Sequence, residues 1–147
     1  MQPQENLSAE EITRLKQYVQ KYFLEQQLNC GLTMMHCLSD FFQLPVHEQV
    51  YASVNGIMEH RDKRHQCGLY KGALMFLGIY GTQLGWDRAM LNEKTLSLAQ
   101  AFEEYFHAIN CYELRSSSFG SDPHHDLCAD LAEEAVLFAV GVIKDNK

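Results

Sequence analysis

Apolar residues recur with a helical period along nearly the whole chain, and this pattern limits the possible fold more than any other feature. Apolar residues on the buried face of a helix recur every three or four positions, whereas apolar and polar residues alternate along a half-buried strand. The prolines, Pro3, Pro45 and Pro123, lie where helices would begin or end. A chain of 147 residues is long enough to form one hydrophobic core without stabilisation by disulfide bonds or metal ions. The sequence therefore predicts one all-α domain over residues 1–147, a compact bundle of five or six helices.

Six segments carry the helical pattern. Ser8 and Glu11 fit a capping box at the start of the first, and Asn29 is a suitable N-cap for the second. The predicted segments run from Ser8 to about Phe23, from Asn29 to before Pro45, from Val46 to Met58, from Gln66 to Tyr80, from Asp87 or Asn92 to Ile109, and from Asp126 to Lys144. A loop is predicted from Gly81 to Gly85.

Glycines interrupt the fourth segment, although the rest of it is apolar. Gly68, Gly72 and Gly78 lie within one predicted helix, where each costs roughly 1 kcal/mol relative to alanine. The close approach of another backbone would explain this cost. That backbone could belong to the same chain or to a second copy in a homodimer.

Net charge and hydropathy exclude several classes of partner. Nineteen acidic residues oppose twelve basic ones, giving a net charge of -7. Binding to nucleic acid needs clustered Lys and Arg, and docking on an anionic membrane needs the same, so we expect neither. Apolar runs are shorter than the roughly 20 residues of a membrane helix, so the chain is not expected to be membrane-embedded. The polar N-terminus lacks signal-peptide features, which predicts a cytoplasmic location.

Five cysteines are scattered along the chain, an odd number without the density of a secreted disulfide scaffold. Cytosolic thiols are normally reduced, so cysteines that matter there act as catalysts, ligands or redox sensors. Cys37 lies in the middle of an apolar helical stripe and is interpreted as a core residue. Cys30, Cys67 and Cys128 lie at or near predicted helix starts, and Cys111 follows Asn110 at the end of one helix, where a short turn can begin.

A helix start is a favourable position for a reactive cysteine. Its unpaired N–H groups and partial positive charge stabilise a thiolate and can lower a cysteine pKa. Cys67 also follows Arg64 and His65, so we predict that it is the nucleophile. The alternative is that these cysteines are small apolar core residues. No pair has CxxC spacing, yet a composite zinc or iron–sulfur site built from four helix ends stays open. His36 and His107 are expected to face water.

The order of these residues resembles a known family. Cys30, the run Cys67-Gly68-Leu69-Tyr70-Lys71-Gly72-Ala73-Leu74-Met75, and then Cys111 and Cys128 are similar to the C_GCAxxG_C_C family of redox-active proteins. The resemblance extends from about Leu24 to Val142. Gly68 and Gly72 match the glycines of the central element and would support the site structurally. Leu69 replaces the usual alanine, and the stretch from His60 to His65 replaces a glycine-rich one.

This resemblance implies a redox-active protein. We predict that Cys30, Cys67, Cys111 and Cys128 cycle between dithiol and disulfide, as in a thiol–disulfide oxidoreductase that needs no cofactor. The family also implies an association with a transporter system, and the redox partner is unknown. One alternative is a metal or iron–sulfur binding module that uses the same four cysteines. Another is a helical interaction protein without enzymatic activity.

Overall fold

The computed structural model describes residues 2–58, 65–111, 113–114 and 125–145, except for the side chains of residues 125–128. Within these ranges the protein has six α-helices and no β-strand, which confirms the predicted all-α class. The helices are α1 (Ala9–Val19), α2 (Cys30–Phe42), α3 (Glu48–Met58), α4 (Gly68–Gln83), α5 (Arg88–Phe106) and α6 (His125–Lys144). None of the described helices is long and apolar enough to cross a membrane.

Side-chain caps fix the start of three helices. The Ser8 hydroxyl accepts a hydrogen bond from the Glu11 N–H at 3.0 Å, and the Glu11 carboxylate accepts one from the Ser8 N–H at 2.9 Å. Asn29 caps α2 by accepting from the Leu32 N–H at 2.9 Å. Asp87 caps α5 in the same way, so this helix begins after Asp87 and not at Asn92. Local sequence was sufficient to predict the starts of α1 and α2, because each cap is made within four residues, whereas the start of α5 had been left open.

The helix boundaries lie within a few residues of the predicted ones. The first helix continues past Val19 as a π-helical turn over Gln20–Glu25, which places Tyr22 and Phe23 in the core, in agreement with the predicted segment to about Phe23. Helix α4 includes Gly81, which was predicted to lie in a loop. A Cβ atom on Gly81 would collide with the Trp86 ring, so the glycine makes room for that ring against the helix. The chain then turns at Gly85, which has a φ of 83°.

The core is built around α6 and the aromatic residues of α5. Helix α6 buries a continuous stripe against the other helices, including Ala135, Val136 and Ala139. Phe138 packs edge-on against Phe106, with ring centroids 5.5 Å apart. A short 3₁₀ turn over Pro3–Asn6 covers the outer part of α6, where the Asn6 amide donates to the Gly141 carbonyl. This part of the bundle is a conventional apolar core.

Candidate thiol site

Helices α2 and α4 make the most extensive contact between helices in the described structure, and their N-terminal turns touch through glycines. A Cβ atom on Gly68 would lie 2.8 Å from the Gly31 nitrogen, and one on Gly72 would lie 2.9 Å from the Gly31 oxygen and 3.1 Å from the Met34 Cβ. Real Cβ atoms essentially never approach within 3.0 Å. The two backbones are therefore in direct contact and run in the same direction here. This explains why Gly68 and Gly72 occur inside an apolar helix.

Each of these helices begins with a cysteine. Cys30 is the first residue of α2, directly after the Asn29 cap, and Cys67 is the N-cap of α4. Each cysteine is followed by a glycine of the contact, Gly31 or Gly68. Because those two glycines touch, Cys30 and Cys67 lie at adjacent helix starts. The Cys-Gly pair is repeated at both helix starts, but this local pattern does not by itself indicate that the two starts are neighbours.

Met58 covers the glycine contact and was not singled out from the sequence. It is the last residue of α3 and is buried. Its Sδ lies 2.6 Å from the position of a Cβ on Gly68 and 3.3 Å from that of a Cβ on Gly31. Cys30 packs against the same small apolar cluster, formed by Met35, Val54 and Met58. The thioether of Met58 therefore fills the space above the two cysteine-bearing turns.

A third cysteine is joined to this region by an isolated antiparallel bridge between Gln66 and Asn110. The Cys67 N–H donates to the Ile109 carbonyl at 2.7 Å, and the Cys111 N–H donates to the His65 carbonyl at 2.9 Å. Cys111 also begins a helical turn, because the Leu114 N–H donates to the Asn110 carbonyl at 3.0 Å. The bridge thus fixes the segment of Cys111 against the segment of Cys67.

Burial divides the cysteines of this site. Cys67 is 2% exposed, whereas Cys30 and Cys111 are half-buried. Among the described residues, Cys30 packs against both apolar clusters, and Cys111 belongs to neither. Cys128 is the fourth residue of α6, and its side chain lies outside the described part of the structure. The same holds for the side chain of His125, and Arg64 and His124 also fall outside the described ranges.

The electrostatics of the two cysteine-bearing helix starts are unusual for this protein. Neither α2 nor α4 has an acidic residue in its first turn. By contrast, α1 has Glu10 and Glu11 there, α3 has Glu48, and α5 has the carboxylate of Asp87 as its cap. Two adjacent helix N-termini combine their partial positive charges and favour an anion. Cys30, the first residue of α2, lies at such a helix start.

Cys37 has a different environment, two turns along α2. Its side chain is fully buried in the apolar core. Burial, reinforced by the nearby Asp40 carboxylate, raises the pKa of the Cys37 thiol far above its usual range. The neutral thiol is therefore its stable form. This agrees with its interpretation as a core residue.

The histidines expected to face water do so only in part. His107 is exposed and ends α5 in the left-handed conformation, with a φ of 67°. His36 is instead half-buried between the rings of Tyr22 and Tyr51, at centroid distances of 4.7 and 3.9 Å. Burial lowers the pKa of His36, so the neutral ring is favoured. The reason is that α3 and the π turn pack on either side of α2 at this position.

Neither a disulfide nor a candidate metal centre occurs in the described structure. Cys30, Cys37, Cys67 and Cys111 are not joined by disulfide bonds. No group of three or more His, Cys, Asp or Glu side chains among the described residues is arranged to hold a metal ion. The chemistry that these residues support directly is that of neighbouring thiols.

Comparison with known proteins places this arrangement in a family. The model of one family, described as "Putative redox-active protein (C_GCAxxG_C_C)", matches residues 28–142. The match includes all of the described thiol site and Cys128. No curated protein and no solved structure shows significant similarity to the chain. Since the family model covers most of its length, the chain belongs to the C_GCAxxG_C_C family.

Proposed function

We propose that this protein is a thiol-based redox protein in which Cys30, Cys67, Cys111 and Cys128 cycle between dithiol and disulfide. The observation that carries the proposal is the contact between two cysteine-bearing helix starts, made through Gly31, Gly68 and Gly72. Membership of a family described as redox-active supports it further.

The reaction would proceed by thiol–disulfide exchange. A thiolate attacks a disulfide sulfur, the new mixed disulfide forms, and the leaving thiolate takes up a proton. A second cysteine of the protein then attacks the protein sulfur of this mixed disulfide. This step forms the disulfide within the protein and releases the other half of the substrate as a thiolate. The adjacent helix starts favour the thiolate, and the bridge between Gln66 and Asn110 holds two thiol-bearing segments together for the second step. A reducing compartment such as the cytosol, as expected from the sequence, would return the protein to the dithiol form.

Counting thiols before and after mild oxidation tests the proposal. The reduced protein is treated with oxidised glutathione, denatured in maleimide, and its labelled cysteines are counted by mass spectrometry. We expect the count to fall by two for each disulfide formed and to recover after reduction. Cys37→Ala is the matched control, because removal of a core thiol should leave the loss of two thiols unchanged. An unchanged count in the wild-type protein would refute the proposal.

The same preparation distinguishes the metal alternative. Thiolates at adjacent helix starts are also good ligands for zinc or an iron–sulfur cluster, which is why that alternative was open from the sequence. Protein purified without oxygen is analysed for zinc, iron and sulfide. We expect no stoichiometric metal, and reversible oxidation in its absence. A stoichiometric metal that protects the cysteines from oxidation would instead support the binding module.

A further inference from the structure

We infer that Cys111 is the thiol that attacks an external disulfide, and that Cys67 is the buried thiol that resolves the mixed disulfide. This inference rests on the proposed function and assigns the order of its steps. It reverses the order expected from the sequence, in which Cys67 attacks first.

The exposure of each thiol to solvent determines which cysteine attacks the external disulfide. Cys67 is 2% exposed, so its sulfur cannot reach an external disulfide without opening of the fold. Cys30 and Cys111 are both half-buried, but within the described ranges Cys30 packs against the two apolar clusters and Cys111 against neither. Among the cysteines whose side chains are described, Cys111 is therefore the one best placed to meet an external disulfide.

The bridge determines the second step. Two backbone hydrogen bonds fix residues 65–67 against residues 109–111. In an antiparallel pair, residues on either side of a directly opposed pair project to the same face, so Cys67 and Cys111 form a diagonal across Gln66 and Asn110. Such diagonals are about 7–8 Å between Cα atoms. A disulfide needs at most about 6.8 Å, so a shift of about 1 Å in this short bridge closes the bond.

Atoms and electrons balance with a low-molecular-weight disulfide as the oxidant. The Cys111 thiolate attacks one sulfur, forming a mixed disulfide and releasing one small thiolate. The Cys67 thiolate then attacks the Cys111 sulfur, forming the Cys67–Cys111 disulfide and releasing the second small thiolate. Two electrons pass from the protein to the oxidant, which becomes two thiols once both thiolates are protonated.

Trypsin separates the relevant cysteines, so the order can be read directly. Cleavage after Lys and Arg leaves Cys67 in peptide 65–71, Cys111 in peptide 95–115, Cys128 in peptide 116–144, and Cys30 with Cys37 in peptide 22–61. The full-length Cys67→Ala protein is treated with oxidised glutathione, acid-quenched and digested. We expect one glutathionyl group to accumulate on peptide 95–115, because the resolving thiol is missing. Accumulation on peptide 22–61 or 116–144 instead would overturn the inference.

The wild-type protein gives a second measurement that does not depend on the stability of the variant. Samples quenched at early times should carry glutathione on peptide 95–115 before any crosslink joins that peptide to peptide 65–71. Cys111→Ala should slow disulfide formation at Cys67, whereas Cys37→Ala should not. A first crosslink between other peptides refutes the assigned order but leaves the proposed function intact. If the wild-type protein forms no disulfide at all, the proposed function itself fails.

Discussion

Two regions of α2 place a cysteine in opposite environments. At the start of the helix, Cys30 is half-buried, follows the Asn29 cap and lies against the start of α4. Two turns later, Cys37 is fully buried, and its pKa is raised by that burial and by Asp40. The residue type and the helix are the same. The difference shows that the burial of a cysteine in this protein depends on its position along the helix.

Alkylation should show the largest difference between these environments. Cys37 can react only when the fold opens, and native proteins are stable by about 5–15 kcal/mol. If Cys37 is exposed only by global opening, its reaction with iodoacetamide should be at least ~1,000-fold slower than that of Cys111. The measurement is a time course followed by peptide mass spectrometry. The Cys30→Ala variant is used, because Cys30 and Cys37 share a tryptic peptide. Comparable rates at Cys37 and Cys111 would contradict the described burial.

Separation of the two helix starts should have the next largest effect. A side chain at position 72 meets the Gly31 carbonyl, which belongs to the backbone and cannot rotate away. We expect Gly72→Val to lower the free energy of unfolding by about 3 kcal/mol, at the upper end for overpacking. Gly78 lies in the same helix with nothing within 4 Å of its Cβ position. Gly78→Ala is therefore the matched control and should gain about 0.5–1 kcal/mol.

Urea denaturation of both glycine variants measures these changes. Equal stability of the two would mean that α2 and α4 are not in backbone contact. If Gly72→Val remains folded, its Cys67 should be alkylated faster than in the wild type, since the wider separation opens a path to that thiol.

These variants also mark the limit of what the sequence could predict. Ser8 and Asn29 were identified as capping residues because each acts within four residues of the chain. The glycines of α4 predicted that another backbone segment packs closely against this helix. They did not predict that the segment contains Gly31, because the local sequence pattern holds no information about the contacting residue. The same applies to Met58, whose position depends on how α3 packs.

The bridge could not be predicted for a related reason. Gln66 and Asn110 form a single pair, without the alternating run of residues by which a strand is recognised. The stacking of His36 between Tyr22 and Tyr51 likewise joins three separate segments. Contacts of this kind follow from the packing of whole helices. Predicting where the cysteines sit on their helices was therefore possible, but predicting which thiols are neighbours was not.

The pH dependence of the free energy of unfolding should distinguish the buried Cys37 thiol from the more exposed thiols. An unfolded cysteine loses its proton near pH 8.5, whereas burial raises the pKa of Cys37 in the folded protein. The unfolded state therefore binds fewer protons above about pH 8.5, and stability falls as pH rises. The slope from this one group approaches about 1.4 kcal/mol per pH unit. Tyrosines add to the slope only near pH 10.

Urea denaturation between about pH 8.5 and 9.5 measures this slope. Cys37→Ala removes the group and should flatten the curve. Cys111→Ala, which removes a half-buried thiol outside the apolar clusters, is the matched control and should flatten it less. If the two variants have the same slope, the thiol of Cys37 is not the group whose burial opposes ionisation.

The smallest expected effect is at the cap of α2. Asn29→Ala removes the acceptor for the Leu32 N–H and should cost about 1 kcal/mol. Asn29→Asp keeps an acceptor and adds a negative charge at the paired helix starts, which should gain about 0.3–1 kcal/mol relative to Asn29.

The same aspartate should slow alkylation of Cys30, because its charge opposes a thiolate on the next residue. Both variants are made with Cys37→Ala, so that peptide 22–61 reports Cys30 alone. A cap with a purely structural role would make Asn29→Asp as reactive as the wild type, since the hydrogen bond is kept. Higher stability together with lower reactivity would instead show that the adjacent helix starts act on Cys30 through their charge. The start of α2 would then differ from its middle by electrostatics as well as by access.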